Sequence, residues 1–528
     1  MDLITSSIFS VRLAAGERRR VSLPEAYALL VADAVEAFTA LRPHQAPAWH
    51  AFLVQLGALA LHHAGQDELP ADAETWAALL RALAGADADT AFALVVEDWT
   101  KPAFMQPPAP SKAAAAEYKL SAETPDALDL LVTSKDHDVK AERMGSPEPE
   151  HWAYALVTLQ TFEGVMGSGK YGIARMNGGY GSRPMLGVVP EGGPGVSLQR
   201  DLVRLLAARD SMLADFAGLG TRRAVGLTWL EAWDGAAPLA PEDLDPFFIE
   251  VCRRVRFVQR GERLVAFGVG SKAARIAWPK DLKGRTGDPW APVDRQEGKV
   301  LSVTRDGFGY RRMAQLLDPA LYDRPPLARI DAQDAKRGLS LRAVALARGQ
   351  GKTEGFHRRA IPIEERVRPI FARGAASFDR FGTEARRRAD KAGEFGRKAL
   401  RPALFLLFQG GEKIDFQKPT TGPQVEPWMR RYDARVDAIF FDQLFQFMAA
   451  EDDEARRDEA EADWQKTLRG AALAVLRAAE AAAPRKAVAV YRARAAARSY
   501  LAAKIRHELP LSGPPRPAAS EEQPDAPR

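Results

Sequence analysis

Two stretches of the chain carry glycines and a lysine at a spacing that can cradle a phosphate. Gly164, Gly169 and Lys170 in GVMGSGKY match most of the pattern GxxxxGK(S/T), and Gly351-Lys352-Thr353 in ARGQGKTEGFHRR matches its end. The pattern binds nucleotides when it joins a strand to a helix: loop N–H groups and the lysine surround the phosphates, and the hydroxyl reaches magnesium. Neither stretch meets these conditions. Tyr171 stands where the hydroxyl is needed, and Leu346 stands where the second stretch needs its first glycine. The residues before Gly164 read as a helix, and those after Thr353 can run back as a strand. Other catalytic patterns are missing as well: the sequence has no HExxH, GxSxG or CxxC. Among eight histidines only His62 and His63 are close, and neighbours in a helix point to different sides. Cys252 is the single cysteine, which leaves no intramolecular disulfide. No cofactor and no metal is expected.

The same glycines and cations suit a nucleic acid better. Glycine lets backbone N–H groups approach a phosphate or a groove edge closely, and Lys or Arg supplies sequence-independent attraction. Three segments combine these features. SKDHDVKAERMGS offers Lys135, His137 and Lys140, with Arg143, in a polar loop. GSGKYGIARMNGGYGSRP holds Lys170, Arg175 and Arg183, with Asn177, Gly167 and Gly169, and no acid over 18 residues. Over residues 348–359 Arg348, Lys352, Arg358 and Arg359 stand against Glu354, a net charge of +3. The first can also be read as a mobile solvent loop, the second as a structural glycine knot and the third as an ordinary surface hairpin. From Arg358 to Arg401 there are 13 Lys or Arg against 6 Asp or Glu, an excess that fits a polyanion.

These segments need elements to position them. SLPEAYALLVADAVEAF opens a helical region over 22–64, with Ser22 as N-cap and Glu25 at capping-box spacing. Helical spacing continues over 73–95. Ser146-Pro147-Glu148 predicts a helix start, with Trp152, Leu156, Leu159 and Phe162 on one stripe and Gly164 as its end. Residues 200–216 read as helical. From about 224 to 365 short strands dominate: FVQRGERLVAFGVG predicts a hairpin around Gly261, and Leu339, Leu341, Ala343, Ala345 and Ala347 alternate on one strand face. The segment 349–355 would be the tip of a second hairpin. Beyond 375 glycine thins out, and four helices are predicted near 377–408, 427–450, 452–481 and 484–508.

The fold class is therefore α+β: a large mixed N-terminal domain over 1–370, then a four-helix bundle over 375–508. A Pro-rich tail over 511–528 should be disordered. A chain of 528 residues is too long for one core. Its 46% apolar and 27% charged residues are ordinary for a globular protein. No apolar run suggests a membrane span, and the N-terminus lacks the pattern of a signal peptide, so a cytoplasmic protein with no membrane partner is expected. The net charge of +5 and a pI near 9.1 are mildly basic, so local clustering must carry any case for nucleic acid.

With these segments in order, the chain resembles the CasA family, the large subunit of the type I-E CRISPR surveillance complex Cascade. The resemblance covers most of the chain. It rests on HWAYALVTLQTFEGVMGSGKYGIARMNGGYGSRP, on PFFIEVCRRVRF, GSKAARI and GDPWAPV, and on GQGKTEGFHRR. It implies a subunit that is not itself a nuclease. Such a subunit recognises the protospacer-adjacent motif in double-stranded target DNA. A hairpin wedge helps start strand separation and R-loop formation. The partners are the guide RNA ribonucleoprotein with the other subunits, and a helicase-nuclease recruited after target binding.

Carried over by position, the wedge falls on Gln350, Gly351, Lys352 and Thr353. Gly351-Lys352 stand where some members have Asn-Gln, with Gln350 just before, which leaves open which side chain wedges. The motif-touching glycine loop lies within 159–169, bringing in Gln160 and Gly164. The loop near the guide is 134–146. Arg260 and Lys272 are candidates for a groove-contacting cation. SIFSVR stands where the family has a Trp-Ile-Pro-Val-like stretch. Read without the resemblance, a phosphate-processing enzyme or a purely structural scaffold stay open.

Overall fold

The computed structural model describes residues 1–129, 144–163, 182–216, 218–349, 352–483 and 487–509. It divides into a larger unit, Met1–Arg312 with Leu316–Asp379, and a smaller one, Arg380 onward with Met313–Gln315. The fold is α+β, with strands in the larger unit and helices in the C-terminal region.

The larger unit is built around helix Ala46–His63. Its stretch from Ala51 to Leu61 has no charged residue and is buried throughout, as expected of a helix apolar on all sides. Helices Pro149–Thr161 and Pro194–Ala207 pack on it, as does strand Leu244–Ile249. The region 22–64 is not helical throughout. Ser22 and Glu25 form the expected capping box, and the helix runs from Leu23 to Val31. Asp33 then takes the left-handed conformation, and Val35–Phe38 pairs with strand Phe9–Leu13 instead. Tertiary pairing here overrides a local helical pattern. The next helix, Ala73–Ala84, stops at Gly85, whose φ of +56° favours glycine.

Two sheets position the segments of interest. Strands Arg254–Arg260 and Arg263–Val269 form the expected hairpin, with Gly261 at φ +58°, and Lys119–Ala122 joins its edge. Strands Leu339–Gly349 and Lys352–Ile363 form a longer hairpin, and Met185–Pro190 pairs with the first of them. The alternation read from sequence is real: Leu339, Leu341, Ala343, Ala345 and Ala347 are all buried.

The C-terminal helices are Ala375–Phe395, Arg401–Phe408, Thr421–Asp437, Phe440–Ala449, Glu454–Ala482 and Ala487–Glu508. The single helix expected over 427–450 is thus two. The one expected over 377–408 is interrupted by a π-turn at Gly396–Leu400, just before Pro402, which has no N–H to give the ladder. Gly396 is required there, because a Cβ would come within 2.9 Å of the Tyr432 ring.

The cationic helix before this turn is largely neutralised from within. Arg386 pairs with Asp390, and Arg387 and Arg388 both reach Glu384 and Glu461. Lys391 Nζ lies 2.7 Å from the second oxygen of Glu461. The Arg388 side chain is fully buried, over the Phe447 ring at 4.3 Å. Burial works against the charge of Glu461, but Lys391, Arg388 and Arg387 together hold its pKa below the ordinary 4.5. A depressed carboxylate contributes stability above its unfolded pKa and loses it as pH falls through the folded one. Glu461→Gln should therefore cost about 1–3 kcal/mol at pH 7. The gap to the native chain should close when denaturant melts are repeated near pH 3.

Candidate nucleic-acid interface

The glycine-rich segment 164–181 lies outside the described residues, with Gly164, Gly167, Gly169, Lys170, Arg175 and Asn177. What the structure does describe is the floor from which that segment leaves and to which it returns. Helix Pro149–Thr161 starts two residues later than the sequence suggests: Glu148, not Ser146, is its N-cap, Pro149 is its first residue, and His151 completes a capping box. At its other end Gln160 is fully buried. Its amide nitrogen donates to the Met105 and Arg253 carbonyls at 3.0 and 2.9 Å. Its oxygen accepts from the Cys252 and Arg253 N–H groups at 2.9 and 2.8 Å. All its hydrogen-bonding capacity is spent inside the protein.

The chain returns at Ser182, and the Arg183 N–H donates to the Phe162 carbonyl at 3.1 Å. The Arg183 guanidinium is 1% exposed. It forms a fork with Asp288, Nε to Oδ2 at 2.7 Å and Nη2 to Oδ1 at 3.1 Å. Nη2 also donates to Gln55 Oε1 at 3.2 Å, and the group lies over the Trp290 ring. Gln160 and Arg183, expected among the DNA contacts, therefore face inward and brace the segment's base instead. Asp288 and Gln55 are the residues that sequence reasoning missed. The only signal for Asp288 was GDPW, where Gly287 has φ +70° and Asp288 caps the Trp290 N–H at 3.0 Å.

The segment with Lys135, His137 and Lys140 also lies outside the described residues, but its base is braced in the same way. Asp129 is buried, with His44 Nε2 at 2.6 Å and Gln45 Nε2 at 3.1 Å on one of its oxygens.

Gln350 and Gly351 lie outside as well. The hairpin that carries them is described up to Gly349 opposite Lys352 and Arg348 opposite Thr353. Lys352 and Thr353 are thus in the strand ladder, and Gly349 with Lys352 is the last pair described. A register shift falls between Ala347 and Arg348, beside Gly355 at φ +144°. Met185–Pro190 pairs with Leu339–Val344 only, so the hairpin continues past its third strand.

Arg260 and Lys272 are both exposed. Arg260 sits at the turn end of its hairpin with its guanidinium over Phe267. Lys272 lies beyond the far end of strand Arg263–Val269, its N–H bonded to the Gly235 carbonyl. Their backbones thus attach at opposite ends of one seven-residue strand.

Some of the remaining arginines are internal. Arg256 donates to the Lys101 and Gln106 carbonyls, and Arg275 to those of Thr228, Glu231 and Ala232. Burial pushes each of these guanidinium groups down to about 10. Burial likewise pushes the Cys252 thiol up to about 12, which leaves it inert as a nucleophile. No helix among the described residues is long and apolar enough to cross a membrane.

Residues 2–475 match the family model described as CRISPR-associated protein Cse1. No curated protein matches the chain by sequence. Among solved structures it is similar to a CasA from Thermus thermophilus, at 16% identity and a TM-score of 0.63 over 96% of this chain and 99% of that one. Thermobifida fusca Cse1 gives 16% identity and a TM-score of 0.63 over 97% and 99%. A chain of a structure titled CRISPR RNA-guided surveillance complex gives 15% and 0.61 over 95% and 99%.

The buried fork makes a direct prediction. Arg183→Met or Asp288→Asn leaves one charge or a set of donors without its partner, which costs about 3–5 kcal/mol. Urea melts of the single and double variants should show strong coupling, the double costing less than the sum of the singles.

Proposed function

From the premise that the chain belongs to the CRISPR-associated protein Cse1 family, we propose that it is the large subunit of an RNA-guided surveillance complex that reads duplex DNA and begins to open it. The family points to a subunit of an assembly, not to an enzyme, and one structural neighbour is titled as such a complex. In this reading base pairing with the guide reads most of the sequence, and the protein reads a short adjacent motif. The helicase-nuclease is recruited once the target is bound.

One observation supports the opening role above others: the long hairpin is paired as far as Gly349 and Lys352 on a firmly held arm. Ala345, Leu346 and Ala347 are buried, so the arm is packed down beyond its third strand. A tip on so rigid a mount can press between base pairs without folding back. Lys352 at the turn supplies the charge, and Gln350 can hydrogen-bond to a base edge. The glycine-rich residues Gly164, Gly167, Gly169, Lys170, Arg175 and Asn177 supply close backbone approach and phosphate attraction. Lys135, His137 and Lys140 face the guide end, and Arg260 or Lys272 adds a phosphate contact. Gln160 and Arg183 act through the mounts described above.

The test is strand opening in the assembled complex, followed by a fluorescent base analogue beside the motif. Gln350→Ala with Lys352→Ala should slow opening about tenfold, equivalent to about 1.4 kcal/mol, while subunit assembly stays intact. Lys352→Ala alone should lower the slope of log K against log salt by about 1 if it contacts a phosphate. Opening at the native rate would remove the wedge assignment.

A further inference from the structure

A cavity of about 210 Å³ lies within the larger unit, between one face of the three-stranded sheet and the helices Ala46–His63 and Pro194–Ala207. Strand register puts Met185, Val189, Arg342, Val344, Phe356 and Arg358 on that face. Trp49, Leu53, Leu198 and Trp290 make up much of the facing wall. The lining is apolar except at one end.

At that end the carboxylates are already engaged. Asp201 receives His50 Nε2 at 2.8 Å on one oxygen and Arg200 at 2.8 Å on the other. Arg200 also holds Asp334, and Arg204 is paired with Asp331 and Asp334. Arg342 is left over. Its Nε is buried without a hydrogen-bond partner, and among the described residues it makes no ion pair. Arg358 stands exposed at the mouth and likewise makes none among the described residues. Burial first, and then the like charge of Arg358, holds the Arg342 pKa below its ordinary value, with Asp201 opposing. Two guanidinium groups thus share an apolar cavity without an ion pair among the described residues, and the carboxylate nearest Arg342, Asp201, is already bonded to His50 and Arg200. Arginine forks are suited to carboxylate and phosphate oxygens.

We propose that this cavity is a binding site for a small anion with a ring-sized apolar body, its headgroup held by Arg342 and Arg358 and its body against the apolar walls. Size agrees with that class. An apolar cavity of about 150 Å³ accepts a benzene ring, so 210 Å³ has room for a ring and one headgroup. A bare inorganic anion would leave the apolar walls unused, and a neutral ring would leave both arginines unanswered. A carboxylate and a phosphate monoester share the chemistry of the headgroup.

Isothermal titration of the full chain separates these cases with four probes: benzoate, phenyl phosphate, phenol and inorganic phosphate. The site predicts saturable one-to-one binding of benzoate or phenyl phosphate, and whichever binds tighter names the headgroup. Phenol and inorganic phosphate should each bind at least about tenfold more weakly. Arg342→Gln should weaken the better probe by about tenfold or more. Because that side chain is partly buried, Arg358→Gln at the exposed mouth serves as the second variant, and it should also weaken binding with an unchanged melting temperature. Absence of saturable binding by either anion would overturn the site. So would phenol binding as tightly as the anions, or a folded Arg358→Gln chain with native affinity.

Discussion

Arg183 and Asp288 meet as a buried fork at the point where the chain returns from the glycine-rich segment. A charge with 1% exposure is tolerable only when it is paired and its remaining donors are used. Here Asp288 takes two bonds, Gln55 takes a third, and Trp290 covers the face. Gln55 belongs to the central helix and donates onward to the Phe247 and Phe248 carbonyls. The fork thus ties the segment's return point to the helix around which the larger unit is packed. Gln160 braces the departure point against the backbone of Met105, Cys252 and Arg253, and the bond from Arg183 to Phe162 closes the base between them.

This arrangement explains why the sequence misleads about these two residues. A run of glycines, lysines and arginines without an acid looks like a contact surface, and the partner of Arg183 lies 105 residues away. Sequence spacing cannot show that distance closing. The same limit hides Asp129 and His44, 85 residues apart, and Glu461 among the cations of a helix some 70 residues earlier. Patterns carried by neighbouring residues were legible. The capping box at Ser22 and Glu25, the hairpin at Gly261 and the buried alternation from Leu339 to Ala347 are all present. Strand Val35–Phe38 was not legible, because its helical-looking residues are recruited by a neighbouring strand.

Charge is sorted accordingly. Arg254, Arg256 and Arg275, which lie in the stretches that carry the family likeness, are buried and brace backbone carbonyls. Those motifs mark the framework. Other cations, such as Arg260, Lys272 and Arg358, stand at the surface. In the proposed reading, a mildly basic chain of this kind gains from an assembly that adds guide pairing and further contacts.

In this account the larger unit is a rigid frame that presents short basic segments to a duplex, with the tip at 350–352 set to part the strands. The most direct measurement places a photo-crosslinking residue at position 352 in the assembled, guide-loaded complex and maps the adducts on target duplex. The account predicts adducts at the base pairs next to the recognised motif, lost when that motif is changed. Adducts only to guide RNA or to protein, or DNA adducts that ignore the motif, would contradict it.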